Sequence, residues 1–500
     1  MIKSFDPTAR ASATAITFKQ LNLETAPAQR PEVIAVIAQA ATGKTITANV
    51  PVLSDGTPDQ AFSLFGAGPL YYCADKLFPK SGNGAKCPVY FIPVADGSAA
   101  SAGDITFTGT AAKSFTARIT FRELAVAAAA DAAGKIATNA LLNPARAPRG
   151  VYLDGFNTIG VKFVIPKGTT AANIPALIVA ALADEPYFPA TAVDGTGGVL
   201  NLTAKWKGVT GDFEIGITDN EGDDLTAGEH GLTVAYTQMT GGADATDLTS
   251  ALANLTESYG ITRVVNQFDD DDNLDLIKEW GEGMRDSLIS QYAISYFGRE
   301  YDESGSVAGT IDVAAIKAFG DGRRLDAVNS AIYGNYGDLR ELTYTQRDTL
   351  LKAGVSNIEV RNGSAVLMDA CTFYHPTGVA NPLFRFDEHV TKTGNLAYDL
   401  RSYFGQDEWA AKLLVSTDSK TTNSDAIDIN DIRAALGGRA ELWEKTALIA
   451  SAEFVKENSE FEIDGENPGR VNANIKAQLS TTLQIADNTL FLGFLFGETA

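Results

Sequence analysis

The sequence VNANIKAQLSTTLQI, residues 471–485, alternates apolar and polar side chains without a break. Val471, Ile475, Leu479 and Ile485 fall on one side, while Asn, Lys, Gln, Ser and Thr side chains fall on the other. Successive side chains of a strand point to opposite faces of a sheet. A period of two sustained over this length therefore predicts a half-buried strand or a pair of strands.

The segment that follows is apolar on both faces. After a turn at Asp487 and Asn488 comes TLFLGFLF (489–496). One side of it carries Leu490, Leu492, Phe494 and Phe496, and the other carries Phe491 and Leu495. Left exposed, such a strand would be an aggregation-prone edge at a chain end, so its faces and its backbone need partners. It is either a central strand of its own molecule or a strand added to a neighbouring copy, where main-chain hydrogen bonds supply affinity.

Upstream of this region, buried strands alternate with helical patterns, which predicts an α/β core with a mixed, mainly parallel sheet. VIAVIA (33–38) and PVYFIPV (88–94) are strand candidates, and the helical pattern between them (61–78) is interrupted near Gly66, Gly68 and Pro69. Beyond residue 246, DLTSALANL and LDLIKEWGEGMRDSL are helix candidates. The further strand candidates are ITRVVNQF (261–268), AISYFG (293–298) and LDAVNSAIYG (325–334).

Between these two parts of the core the pattern changes to alternating strands, as in VLNLTAKW and DFEIGI, with one helix candidate at 171–183. We therefore expect an α/β core, with a mixed sheet and helices, that carries an inserted mostly-β domain and extended arms at both ends. The predicted domains are an N-terminal arm (1–30), a first part of the core (31–95), the inserted domain (96–245), a second part of the core (246–486) and a C-terminal arm (487–500).

Composition restricts the classes of function. The net charge of −22 gives a surface that repels phosphate backbones, which argues against a nucleic-acid coat. The first residues lack the apolar core of a secretory signal, and no stretch reaches the ~18 apolar residues of a membrane helix. We expect assembly in a cytoplasm, with neither membrane insertion nor direct nucleic-acid binding. The cysteines are too few for a disulfide framework and are expected to be buried thiols, with an intersubunit disulfide as the alternative: Cys73, Cys87 and Cys371.

Four patterns suggest ligand sites but lack required residues. ATGKT (41–45) has Ala38 where a phosphate loop needs its first Gly, and the glycine pair at 66 and 68 is not completed at Tyr71. The acidic run 269–272 lacks the Gly and Glu of a calcium loop, and DAIDINDIR (425–433) fails the same test. Both acidic segments are better explained as helix N-caps. The three histidines show no metal-binding spacing, so we expect no cofactor, no metal and no catalytic residues.

Several blocks resemble the tail sheath family of contractile phages, especially its Mu-like branch. Four blocks carry the resemblance: RPEVIAVIAQAATGKTITANVPVLSDGTPDQAFSLFGAGPLYYCADKLF (30–78), LTAKWKGVTGDFEIGI (202–217), LTYTQRDTLLKAGVSNIEVRNGSAVLMDACTFY (342–374), and the stretch from INDIRAALGGRAELWEKTALI to NPGRVNANIKAQLSTTLQI (429–485). Their order and spacing follow the family over most of the chain. Pro69, Asp212 and Cys371 depart from its usual residues.

The resemblance implies a structural subunit that polymerises with itself as a helical array around an inner tail tube protein. Baseplate and tail terminator or neck proteins would be further partners, and contraction would drive the tube through the host envelope. The terminal arms would add strands to sheets of adjacent subunits, through Ile16 and Phe18 at the N-terminus and the apolar residues of 489–496 at the C-terminus. The product would be a virion tail, assembled in the bacterial host cytoplasm.

The resemblance also suggests a surface that faces the tube, because sheath subunits reach the tube through the C-terminal part of the core. The helix at 432–449 carries the candidate charges Arg433, Arg439, Glu441, Glu444 and Lys445. An ordinary solvated helix face is the alternative, since exposed charge pairs are common and individually weak. Two other classes of protein remain open: another self-assembling surface protein, such as an S-layer or capsid-decoration subunit, and a soluble α/β enzyme with an inserted β domain.

Overall fold

The computed structural model describes residues 27–78, 87–123, 158–219, 225, 229–243, 246–266, 268, 271–286, 295–296, 299–301, 331–332, 344–345, 348, 355–361, 364–369 and 386–481. Internal contacts divide the chain into two compact units, Met1–Arg30 with Asn395–Ala500, and Pro31–Gly394. We call the first the C-terminal unit and the second the sheet unit. The predicted domain boundaries stay predictions.

The first elements of the sheet unit are β1 (Ile34–Gln39), β2 (Val52–Leu53), α1 (Pro58–Phe65), α2 (Pro69–Leu77) and β3 (Val89–Val94). The Thr57 hydroxyl caps α1, and Gly66, at φ 69°, ends it in a conformation that disfavours residues with a Cβ. Pro69 then starts α2, where its missing N–H costs nothing. The predicted interruption of the helical pattern is confirmed.

Alternating strands form more than half of the described residues between 100 and 240, and we call this range the β-rich region. Its elements are β4 (Ala100–Gly109), β5 (Phe115–Glu123), β6 (Thr158–Ile165), α3 (Ile174–Ala183), β7 (Ala190–Asp194), β8 (Val199–Lys207), β9 (Phe213–Asp219) and β10 (Leu232–Thr240). They form two sheets, in the orders β10-β4-β8-β7 and β6-β5-β9. The predicted alternation of β8 is confirmed, because Leu200, Leu202, Ala204 and Trp206 are all buried. One apolar cluster draws side chains from both sheets.

The outer edge of β9 is closed by side chains of β10. The Gln238 side chain accepts from the Ile215 N–H at 2.6 Å and donates to the Ile215 carbonyl at 3.1 Å. The Tyr236 hydroxyl does the same for Ile217, at 2.8 and 3.3 Å. These two side chains replace a neighbouring strand, and we call this boundary the sealed edge.

The rest of the sheet unit supplies α4 (Thr249–Asn254), β11 (Arg263–Asn266), α5 (Asp271–Asp286), β12 (Ser295–Tyr296), β13 (Arg299–Tyr301), β14 (Ala331–Ile332), β15 (Val355–Arg361) and β16 (Ser364–Asp369). The main sheet has the order β12-β11-β1-β3-β2. β1 pairs in parallel with β11 and with β3, and only β2 is antiparallel, so the predicted mainly parallel sheet is confirmed. Helices α4 and α5 cover one face through Leu252 and Ile277.

The last elements are α6 (Asp387–Phe404), α7 (Asp407–Ala410), β17 (Leu413–Leu414), β18 (Ala426–Ile427), α8 (Ile429–Lys445), α9 (Ala452–Asn458), β19 (Glu460–Ile463) and β20 (Val471–Asn474). The boundary between the units falls within α6. The part of the chain that the structure describes contains no helix long and apolar enough to cross a membrane.

Candidate functional site

The carboxyl edge of the parallel sheet is where open α/β sheets bind ligands. Here the end of β8 lies against it. Gln39, at the end of β1, donates to the Lys207 carbonyl at 2.6 Å and accepts from the Thr210 hydroxyl. The Thr42 N–H donates to the Lys205 carbonyl at 2.6 Å. At the end of β1, this edge of the sheet is therefore engaged by backbone of the same chain.

The lysine of the ATGKT segment is also engaged within the chain. Lys44 Nζ donates to the Ser63 carbonyl at 3.1 Å and lies 6.0 Å from the centre of the Phe62 ring. Among the described residues, no group of three His, Cys, Asp or Glu side chains could hold a metal ion. The second acidic segment starts α8, as predicted, since the Asp428 carboxylate accepts from the N–H groups of Asn430 and Asp431.

The structure describes two of the three cysteines. Cys73 is buried, as predicted, and Cys87 is partly buried. Burial raises the pKa of the Cys87 thiol to about 11, so the unreactive protonated form dominates at neutral pH. Cys371 lies outside the described residues.

A buried carboxylate organises the helices of the C-terminal unit. Asp399 on α6 is 1% exposed and accepts from Arg439 Nε at 3.0 Å, from Arg439 Nη2 and from Trp443 Nε1 at 2.7 Å. The guanidinium also lies 5.1 Å from the centre of the Tyr403 ring. A buried ion pair is tolerated when its remaining hydrogen-bonding groups are satisfied, and this bidentate pair meets that condition.

Helix α9 packs closely on α8 at Gly437. A Cβ at that position would lie 3.4 Å from the Lys456 side chain, an ordinary van der Waals contact. Lys456 then reaches Glu441 at 2.7 Å. That hydrogen bond, with the lysine charge, holds the pKa of Glu441 below its usual value.

The hairpin β19–β20 follows these helices and forms a sheet of two strands. Its turn is fixed by the Asp464 carboxylate, which accepts from the N–H groups of Glu466 and Asn467 at 2.9 and 3.0 Å. These bonds lower the pKa of Asp464. The strands are antiparallel, with Glu462 opposite Asn472 and Phe461 opposite Ala473.

The hydrogen bonds between the described residues use one side of the segment that runs through β20. The Asp464 N–H donates to the Arg470 carbonyl at 2.9 Å, so the alternation of an antiparallel ladder turns the even-numbered residues toward β19. Further along, the Lys476 N–H donates to the Ser459 hydroxyl, and the Gln478 carbonyl accepts from Ala450. The backbone groups of Val471 and Ala473 face the other way, and no described strand pairs with them. We call this side the open edge.

Of the two alternatives predicted for 471–485, a single strand or a pair of strands, the described part does not form the single continuous strand. β20 ends at Asn474, and after it the segment makes only an isolated bridge between Leu479 and Ile449. The intrachain partner changes from β19 to residues 448–450, which interrupts the ladder. Val471, Ile475 and Leu479 are half-buried and Ala473 and Ala477 are exposed, so the described residues cover this apolar face only in part.

The predicted site residues divide into three groups. The arm residues lie outside the described residues: Ile16, Phe18, Leu490, Phe491, Leu492, Phe494, Leu495 and Phe496. Four tube-facing candidates are exposed on α8: Arg433, Glu441, Glu444 and Lys445. Arg439, predicted as a tube-facing charge, is not on the surface. The residue is 7% exposed and its guanidinium donates to Asp399. Its place on the inner face of α8, next to Trp443 one turn on, is the physical reason.

The sequence did not reveal three polar side chains that form hydrogen bonds with backbone groups: Asp399, Tyr236 and Gln238. For Asp399 the sequence offers only the spacing of four residues from Asn395, which is about one helical turn, and the structure adds that both are buried. For Tyr236 and Gln238 the alternation of β10 predicts a shared face but not the backbone that they meet.

No family model matches the chain, and no curated protein matches it. Two solved structures are similar. The first is the sheath tail protein of Desulfitobacterium hafniense, with a TM-score of 0.39 and 11% identity over 90% of this chain and 93% of that one. The second is the sheath complex of PVC, an extracellular contractile injection system, in its contracted state, with a TM-score of 0.38 and 9% identity over 98% and 99%. Both are named as sheath proteins, the class that the sequence resembles, but at these TM-scores the likeness carries no argument by itself.

Proposed function

We propose that this chain is the sheath subunit of a contractile phage tail or of a related injection device. The observation that carries the proposal is the open edge of β20, a strand whose outward backbone groups meet no described strand and whose apolar face is only partly covered by the described residues. Strand addition from neighbouring copies would bond the backbone groups and cover the rest of the face. The two-faced apolar segment 489–496 and the short patch at Ile16 and Phe18 are the candidate added strands, on different neighbours.

Such linkage joins copies through an interface that repeats without closing on itself, and this arrangement generates a helical array. In the proposed assembly the array surrounds an inner tube, and baseplate and terminator or neck proteins bound its ends. Extra contacts between subunits in the contracted state would supply the energy of contraction, while the strand linkage persists. The chain acts as a structural protein, and the occupied carboxyl edge of its sheet agrees with that role.

The exposed charges of α8 remain the proposed contact with the tube. Arg433, Glu441, Glu444 and Lys445 are exposed on one helix, whereas Arg439 is excluded by its burial. Replacing the four together by Ser should weaken binding of the sheath to tubes and leave sheath-to-sheath polymerisation unchanged. Co-sedimentation with purified tubes measures the first property, and electron microscopy measures the second. Unchanged binding to tubes would show that another surface faces the tube.

Electron microscopy of the purified protein tests the proposal as a whole. Long hollow cylinders are expected at high concentration. A monodisperse small particle would contradict the sheath role, and a flat two-dimensional lattice would favour a surface-layer protein instead.

A truncation tests the strand-addition step. Removal of residues 487–500 should leave a folded chain, with unchanged circular dichroism and cooperative melting, that no longer forms cylinders. Replacing the same residues by a polar linker of equal length is the matched control for chain length and should fail in the same way. Normal assembly of the truncated chain would refute strand addition by this segment.

A further inference from the structure

Residues 27–31 are neither helix nor strand, and their sequence favours an extended conformation. Proline fixes φ near −65° and disfavours the helical region for the residue before it. Pro27 and Pro31 therefore restrict both ends of the sequence PAQRP. Since proline has no N–H, the backbone donors of this segment are those of Ala28, Gln29 and Arg30.

Two side chains of helix α6 accept hydrogen bonds from alternate backbone N–H groups of this segment. The Ala28 N–H donates to Asp399 Oδ1 at 2.6 Å, and the Arg30 N–H donates to Asn395 Oδ1 at 3.0 Å. Two residues of extended chain advance about 6.6 Å, close to the ~5.4 Å of one helical turn. Two acceptor side chains four residues apart on a helix can therefore bond alternate N–H groups of an extended segment, as the edge of a β-strand does. Gln29, between the two bonded residues, is exposed.

The acceptors are held in place independently of the segment. Asp399 is fixed by Arg439 and Trp443 of α8, which leaves one of its lone pairs directed at Ala28. Asn395 is 6% exposed, and its bond to Arg30 is buried. A buried N–H without an acceptor is costly, so both bonds favour a bound segment over a detached one.

We propose that Asn395 and Asp399 form a clamp that fixes residues 28–30 to helices α6 and α8. Any pull on the chain before residue 27 then reaches the helices of the C-terminal unit at this point. The clamp is a property of the single chain and does not depend on the proposed sheath function.

Hydrogen exchange measured at single-residue resolution on the full, unpolymerised chain tests the clamp. Asn395→Ala removes the acceptor of Arg30 and keeps the ion pair of Asp399 with Arg439. The Arg30 amide should then exchange at least about tenfold faster, as expected for loss of one buried hydrogen bond. The melting temperature should change little, because the core of the C-terminal unit is untouched.

Gln29→Ala is the matched control, since it alters the exposed side chain between the two bonds and keeps both acceptors. It should leave exchange at Ala28 and Arg30 as in the natural chain. A second variant, Asp399→Asn, keeps a carbonyl oxygen but loses the charge that orients it, so exchange at Ala28 should accelerate.

Equal exchange at Arg30 in the natural chain and in Asn395→Ala would overturn the clamp. The same acceleration in Gln29→Ala would overturn it too, because the effect would then come from general loosening. A chain that shows the expected exchange but forms no cylinders would retain the clamp and lose the sheath proposal, so the two failures are distinguishable.

Discussion

The sealed edge of β9 and the open edge of β20 differ in whether their outward backbone groups have described partners. Both strands lie at the boundary of a small sheet, where unpaired N–H and C=O groups invite another chain. At β9, Tyr236 and Gln238 bond the outward groups of Ile217 and Ile215. At β20, the outward groups of Val471 and Ala473 meet no described strand. Among the described residues, dedicated side chains therefore close the first edge, and the second is left available to another strand.

The largest expected effect concerns the open edge. Ala473→Pro removes an outward N–H and leaves the inward bonds of Glu462 with Asn472 in place, so the single chain should fold with little loss of stability. Under the proposed function, cylinders should be absent in electron micrographs.

Ala473→Thr is the control for that variant, because threonine keeps the N–H and favours strands. It should polymerise. If the proline variant forms cylinders, neighbouring copies do not add strands at the open edge. The difference between the two edges would then have no role in assembly.

The second expected effect concerns the sealed edge. Gln238→Ala leaves the N–H and carbonyl of Ile215 without their partners, at a cost of about 1–3 kcal/mol in the free energy of unfolding. The exposed edge should also promote self-association, measured by light scattering next to denaturant unfolding. The control is Thr237→Ala, on the opposite face of β10. It should change neither the free energy of unfolding nor self-association. If the Gln238→Ala variant is as stable as the natural chain and does not self-associate, the Gln238 side chain is not needed to close this edge.

A smaller effect is expected for Tyr236→Phe. The ring keeps its contacts with the apolar cluster, and only the hydroxyl that bonds Ile217 is lost, at about 1 kcal/mol. Urea unfolding of the two variants side by side measures the difference. A greater loss for Tyr236→Phe than for Gln238→Ala would assign the seal mainly to the tyrosine.

The smallest effect is expected for Glu441→Gln on the surface of α8. The Glu441–Lys456 pair is exposed, and exposed pairs contribute little to stability. Thermal melting should be unchanged within error, while binding to tubes, if α8 faces them, should weaken. A clear fall in melting temperature would show that the pair supports the packing of α9 on α8 and is not free for a partner.

Sequence patterns predicted the elements whose environment is set by local periodicity. β1, β3, the broken helix α1–α2 and the alternation of β8 all follow from spacing and from the positions of Gly and Pro. The length of β20 did not follow, because it depends on where the intrachain partner changes from β19 to residues 448–450. The burial of Arg439 was also not predictable, since a charge on a helix reads as exposed unless its partner, forty residues earlier, is known to face it.

The end of β8 that occupies the carboxyl edge of the parallel sheet has a mechanical consequence. Gln39, Thr42 and Thr210 tie the β-rich region to the first strand of that sheet at several points. A torque applied to the β-rich region by any bound object would turn the parallel sheet with it, instead of being absorbed by a swivel between them. A thiol-reactive probe attached to the variant Val193→Cys, at an exposed position, would therefore report the rotation of the sheet itself.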